Sequence, residues 1–130
     1  MSHLKTACAA FLISGLGRVA MIAQGNAEAA RLQNPITETP VTVAAGKQVY
    51  QRRCASCHGL NGEGGAGNDL IGPAPNLVDA MWEHGSTDGE IFSVIKNGVP
   101  PDFMMVPWKD ELKDEEIWSV VNYLRSLARK

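Results

Sequence analysis

Two cysteines and a histidine stand together near the middle of the sequence, as Cys54-Ala55-Ser56-Cys57-His58. Residues three and four apart share one face of a helix. Two thiols at this spacing can each add to a vinyl group of one porphyrin, and the imidazole that follows can point at its iron. C-x-x-C-H is the attachment signature of c-type haem. The sequence therefore predicts one haem c, bound covalently through Cys54 and Cys57, with His58 as an axial ligand.

Other chemistries use the same residue types. A C-x-x-C pair also occurs in disulfides and in thioredoxin-type redox centres, but the latter need a βαβ setting that this sequence does not indicate. A zinc site needs about four ligands. Cys54, Cys57, His58 and His84 supply four, although neighbouring Cys57 and His58 can rarely reach the same small ion. The pattern favours haem over these alternatives.

The sequence offers more than one candidate for the sixth ligand of the iron. Iron(II) binds a polarizable thioether well, and a His/Met pair raises the reduction potential. Met104 and Met105 lie in the proline-rich stretch 99–108, which cannot be regular helix. Met81 fits ordinary packing, and His84, beside a glycine, fits a surface position. Met104 and Met105 both stay open on this evidence.

Helices must position these ligands. Apolar residues at helical spacing predict helices over residues 44–58, 87–97 and 114–128, and no stretch alternates like a strand. A loop rich in glycine and proline over residues 59–80 is expected to wrap tightly around a bound group. Its segment 73–77 is the expected source of a carbonyl acceptor for the outer nitrogen of the axial histidine. The predicted fold class is all-α.

The N-terminus has the layout of a secretory signal peptide. A positively charged start is followed by an apolar run over residues 7–16 and by the small-x-small site Ala27-Glu28-Ala29. Cleavage is predicted after Ala29, with Gly25 as the second choice. An uncleaved membrane anchor is the alternative, but Arg18 interrupts the apolar stretch, and about 20 uninterrupted apolar residues are needed to span a bilayer.

This layout gives a domain organisation and a location. We expect a signal peptide over residues 1–29, an extended lead-in over 30–43, and one domain over 44–130. The protein is expected in the periplasm, without stable membrane insertion once the signal has been removed.

Composition narrows the function classes. The net charge is −2 and the pI about 5.9, so the chain has no basic footprint for nucleic acid. Three cysteines are too few for an iron–sulfur cluster held by four thiolates.

Three motifs then identify a resemblance. They are Gly46-x-x-x-Tyr50-x-x-x-Cys54-x-x-Cys57-His58-Gly59, then Gly72-Pro73-Ala74-Pro75-Asn76-Leu77, then Met105-Val106-Pro107-Trp108 ahead of the last helix. In this order, over residues 44–130, they resemble the class I c-type cytochromes, the small monohaem electron carriers.

The resemblance implies a cytochrome c fold, with helices wrapped around one haem and the first and last helices crossing near Gly46. It also implies that the Pro75 carbonyl accepts a hydrogen bond from His58, that Leu77 packs on the porphyrin, and that Met105 is the axial sulfur. Two departures stand out. Val106 separates the ligand methionine from Pro107, and Lys113 takes a position at which the family usually has a Ser or Thr cap.

The expected function is one-electron transport between Fe(III) and Fe(II), without enzymatic activity, by a monomer that meets separate donor and acceptor proteins. The predicted donor is a periplasmic dehydrogenase, with a quinoprotein alcohol dehydrogenase favoured, and the electron passes on to a terminal acceptor. One alternative is a five-coordinate haem protein that binds a gas or peroxide. Another is a membrane-tethered haem subunit of a larger oxidoreductase.

Overall fold

The computed structural model describes residues 26–65 and 72–128. In this part of the chain the regular structure is a short 3-10 helix, Ala29–Arg31, and four α-helices: α1 (Pro40–Arg53), α2 (Ala55–His58), α3 (Asp88–Asn97) and α4 (Asp114–Ala128). The described residues contain no strand, which confirms the all-α prediction. The apolar run over residues 7–16 and the second cleavage choice, Gly25, lie outside the described residues.

Helix α1 begins at Pro40 rather than at residue 44. Thr39 has extended backbone and its hydroxyl accepts from the Thr42 N–H, while the Thr42 hydroxyl accepts from the Thr39 N–H. Proline suits the first helical position because its missing N–H would have no helical partner there. Thr39 and Thr42 thus form a capping box, in which Thr42 takes the place of the usual Glu or Gln. Because that usual signal is absent, the sequence pattern predicted too late a start for α1.

Helix α1 crosses helix α4, as the resemblance predicted. At the crossing, a side-chain carbon on Gly46 would overlap the backbone carbonyl of Ser119, so only glycine allows the two backbones this close. One turn further on, the rings of Tyr50 and Tyr123 lie 5.2 Å apart and tilted. Tyr50 is fully buried. This crossing forms one wall of the interior.

Helix α3 spans nearly the stretch predicted for it. Thr87 caps it, with the Thr87 hydroxyl accepting from the Glu90 N–H and the Glu90 carboxylate accepting from the Thr87 N–H. The helix packs on α4 through Phe92 and Trp118, whose rings stack with centroids 4.0 Å apart.

Helix α4 starts at Asp114, as predicted. Lys113 precedes it, at the position where a Ser or Thr cap is usual in the family. Lys113 has no side-chain acceptor for the helix N-terminus, but its N–H donates to the Glu116 carboxylate at 2.9 Å. The helix therefore retains the glutamate half of a capping box. Among the described residues, no helix combines the length and the apolar character needed to cross a bilayer.

The segment before α1 packs against the helices. The Asn34 amide donates to the Asn122 side chain at 2.8 Å, and the Asn122 amide donates to the Ile36 carbonyl at 3.1 Å. Ala29 is buried, with its carbonyl against Gly89 of helix α3. The stretch predicted as an extended lead-in is thus hydrogen-bonded to α4, and from Pro40 onwards it belongs to α1.

Candidate cofactor site

A cavity of about 410 Å³ opens between the helices and is lined mostly by apolar side chains. Its walls come from the end of α1, from α2, α3 and α4, and from the loops over residues 72–77 and 99–108. Cofactor sites have volumes of roughly 300–1,000 Å³ and are mainly apolar, with a few placed polar groups. The cavity is therefore of the size and character expected for a bound cofactor.

The attachment motif lies on the wall of this cavity. Cys54 directly follows α1 and caps it. The single turn of α2 comes next, and the His58 N–H donates to the Cys54 carbonyl at 2.9 Å. Both thiols are free, with Cys54 buried and Cys57 exposed. Burial, and secondarily the neighbouring Cys57, raise the pKa of Cys54 to about 11. Cys54 is accordingly held as a neutral thiol at physiological pH.

His58 is buried and lines the same cavity. Burial lowers the pKa of its imidazole, and the backbone carbonyl of Pro75 acts against this shift as a hydrogen-bonding group. The neutral imidazole that burial favours is the form that binds a metal. Nδ1 nevertheless forms no hydrogen bond with any of the described residues. The Pro75 carbonyl thus acts on His58 without a completed hydrogen bond, and the bond that the resemblance implied stays a prediction.

The two candidate methionines differ in burial. Both line the cavity, but Met105 is partly buried and packed against the core, whereas Met104 is 52 % exposed. The Met105 backbone is also held, because its carbonyl accepts from the Val99 N–H at 2.9 Å. Burial therefore favours Met105 over Met104 as the residue facing a cofactor.

The glycine-rich loop supports the proline-rich loop. The Leu77 N–H donates to the Gly62 carbonyl at 2.7 Å, and the Gly65 N–H donates to the Ala74 carbonyl at 2.9 Å. Gly64 has a positive φ of 74°, and a side-chain carbon there would overlap the Ala74 carbonyl. Leu77 is partly buried and lines the cavity. The glycines thus let the chain wrap closely around the segment that carries Pro75.

Sequence reasoning did not single out Arg53 and Trp108 as wall residues. The Arg53 guanidinium lies 5.9 Å from the centre of the Trp108 ring and 3.3 Å from the Glu111 carboxylate. Both Arg53 and Trp108 line the cavity. The position of Arg53 directly before Cys54 could have indicated that it lies on the cavity wall. The contact of Trp108 with Arg53 depends on the tertiary fold, so the sequence gives no signal for it.

The donor set fits a c-type haem. Two free thiols three residues apart, a buried neutral imidazole and a thioether share one apolar cavity. A zinc ion would need about four ligands. Within residues 26–65 and 72–128, no three His, Cys, Asp or Glu side chains come together as a metal-binding group.

Comparisons with known proteins agree with this chemistry. Residues 41–124 match the family described as cytochrome C oxidase, cbb3-type, subunit III. The subunit FixP of a cbb3-type cytochrome c oxidase from Rhizobium meliloti is 35 % identical over 89 residues, which are 68 % of this chain and 29 % of that protein. The quinohemoprotein alcohol dehydrogenase ADH IIB of Pseudomonas putida is 29 % identical over 116 residues, which are 89 % of this chain and 16 % of that protein.

The fold has a solved counterpart. The c-type cytochrome KustC0563 is 33 % identical, with a TM-score of 0.51, over 63 % of this chain and 95 % of that one. By contrast, the chain spans less than a third of the length of the oxidase subunits it matches. The shared unit is thus a single cytochrome domain. The match over residues 41–124 makes the chain a member of the class I c-type cytochromes, a family whose cofactor is covalently bound haem c.

Proposed function

We propose that this chain is a one-electron carrier whose haem c is tethered by Cys54 and Cys57 and ligated by His58 and Met105. The presence of His58 and Met105 on the wall of one apolar cavity is the observation that carries the proposal. Haem c bound in this way supplies a couple between Fe(III) and Fe(II). With His58 and Met105 both bound to it, the iron would have no position left for a substrate, which suits electron transfer rather than bond making.

The chain's own residues account for the rest of the site. The apolar walls from α3 and α4, among them Ile91, Ile95 and Val120, limit the access of water. The thioether of a His/Met ligand pair favours the reduced iron, so a raised reduction potential is expected. Leu77 contributes apolar surface on the side of the proline-rich loop.

We further propose a periplasmic location and a dehydrogenase as electron donor. The location rests on the signal-peptide layout over residues 1–29. The similarity to a quinohemoprotein alcohol dehydrogenase over 89 % of this chain supports a donor of the quinoprotein type, with a terminal acceptor downstream. The carrier would act as a monomer, since it must leave each partner quickly.

A second candidate function is that of a haem domain in a membrane-tethered oxidase. It is supported by the family match and by the cbb3-type oxidase subunits of which this chain covers 29 %. The two candidates differ in whether residues 1–29 are kept. N-terminal sequencing of the exported protein, together with membrane fractionation, separates them: an intact N-terminus in the membrane fraction would favour the tethered subunit.

The test of the main proposal is spectroscopic. The purified holoprotein should give a pyridine haemochrome spectrum of haem c and should stain for haem after denaturing electrophoresis. Its native spectrum should be low-spin and insensitive to carbon monoxide. High-spin ferric iron that binds ligands readily would contradict the carrier and favour the five-coordinate alternative. Reduction by a purified quinoprotein alcohol dehydrogenase with its alcohol tests the donor separately.

A further inference from the structure

We infer that Tyr50 is a positioning residue for the axial histidine, acting through a hydrogen bond from its hydroxyl to the Gly59 carbonyl. The inference rests on the proposed function, because it takes His58 as an iron ligand. It concerns the tyrosine hydroxyl, whereas the aromatic ring already has a packing role at the crossing of α1 and α4.

The Tyr50 hydroxyl contacts Gly59, the residue that directly follows His58. Tyr50 has no exposed surface, and its hydroxyl donates to the Gly59 carbonyl at 2.9 Å. The Gly62 N–H donates to the same Gly59 carbonyl at 3.4 Å. A buried hydroxyl costs free energy unless it is hydrogen-bonded. Packing on Tyr123 would be served equally by phenylalanine, so the hydroxyl needs a separate explanation.

The Tyr50 hydroxyl contacts the turn over residues 59–65, and this turn is hydrogen-bonded to His58. Gly59 has a positive φ of 79°, and the His58 carbonyl accepts from the Gly64 N–H at 2.8 Å. The peptide groups on both sides of Gly59 are thereby held in place. Tyr50 connects this turn to helix α1.

The same turn is also hydrogen-bonded to the proline-rich loop over residues 72–77. The Gly62 carbonyl accepts from the Leu77 N–H, and the Gly65 N–H donates to the Ala74 carbonyl. These two bonds flank Pro75, whose carbonyl is the backbone group that acts on His58. Hydrogen bonds therefore link the Tyr50 hydroxyl, through the turn, to the residues on both sides of Pro75.

This connection has a functional consequence. The hydrogen bond to the outer nitrogen of a ligating histidine fixes its orientation and raises its basicity as a ligand. Nδ1 of His58 is buried, and among the described residues no other group forms a hydrogen bond with it. Loosening the turn should weaken the contact with the Pro75 carbonyl, make the imidazole a poorer donor to Fe(III), and raise the reduction potential.

The test uses the holoprotein with Tyr50→Phe, and Tyr123→Phe as the matched control. Tyr123 lies against Tyr50. Within residues 26–65 and 72–128 its hydroxyl forms no hydrogen bond to the turn, although the Glu63 carboxylate acts electrostatically on both tyrosines. Tyr50→Phe should shift the midpoint potential upward and make exchange of the His58 Nδ1 proton, followed by NMR, severalfold faster. Tyr123→Phe should change neither. Unchanged potential and exchange in Tyr50→Phe, even with lower stability, would overturn the inference.

A second measurement provides the test if the Tyr50→Phe protein cannot be obtained in folded form. The chain has two tyrosines, so the Tyr123→Phe protein grown with 3-fluorotyrosine carries the label at Tyr50 alone. The more acidic hydroxyl should strengthen the bond to Gly59 and lower the midpoint potential. No shift would again overturn the inference. Failure of the proposed function is distinguishable, because the unsubstituted protein would then lack covalent haem or its low-spin spectrum.

Discussion

Gly46 of helix α1 lies directly against the backbone carbonyl of Ser119 in helix α4, with no room between them for a side-chain carbon. The obstacle is backbone rather than a flexible side chain, so it cannot rotate away. Helices approach this closely only where one of them carries glycine, and the approach brings Tyr50 and Val120 to the wall of the same cavity.

Gly46→Ala should therefore destabilise the holoprotein. Overpacking of a closely packed contact costs about 1–3 kcal/mol, and here the two helices must move apart. Denaturant unfolding followed by circular dichroism measures the loss. The control is Ala45→Ser at the exposed neighbouring position, which should change stability by less than about 0.5 kcal/mol. Equal stability of the Gly46→Ala protein would show that the helices do not cross so closely.

The sixth ligand can be assigned by two single substitutions. Met105→Ala should lower the midpoint potential and open the iron to carbon monoxide, because it removes the partly buried thioether on the cavity wall. Met104→Ala is the matched control, since that side chain is half exposed, and it should leave both properties nearly unchanged. The reverse pattern would transfer the assignment to Met104.

Covalent attachment depends on the two free thiols. The double substitution Cys54→Ala with Cys57→Ala should abolish haem that survives denaturation, because no thiol then remains beside His58. Ser56→Ala, at an exposed position between them, should retain it. Haem staining after denaturing electrophoresis provides the measurement. Persistence of stained haem in the double variant would disprove attachment at these residues.

The segment before α1 should loosen when its main anchor is removed. Asn122→Ala deletes the buried amide that bonds Asn34 and the Ile36 carbonyl, which should cost about 1–3 kcal/mol. Limited proteolysis should then cut residues 30–39 before the rest of the domain. Asn97→Ala is the control, since Asn97 is exposed and its amide donates to the Ser93 hydroxyl within the same helix. Unaltered proteolysis of the Asn122→Ala protein would mean that the segment is held by other contacts.

Local signals predicted the two later helices well. The Thr87–Glu90 capping box and the acidic first turn of α4 lie within a few residues of the elements they start, so no tertiary information was needed. The start of α1 was missed because Thr42 completes its capping box. The packing of the segment before α1 was missed because its partners, Trp118 and Asn122, lie more than 80 residues away.

The chemistry of this protein was determined by the sequence alone, because attachment depends on thiols and an imidazole at fixed neighbouring positions, and covalent geometry keeps neighbours together in any fold. The difference in burial between Met104 and Met105, the hydroxyl of Tyr50 at Gly59, and the carbonyl of Pro75 beside His58 were decided only by the tertiary structure. These relationships join residues from separate elements, and their distances follow from how helices and loops pack rather than from spacing along the chain.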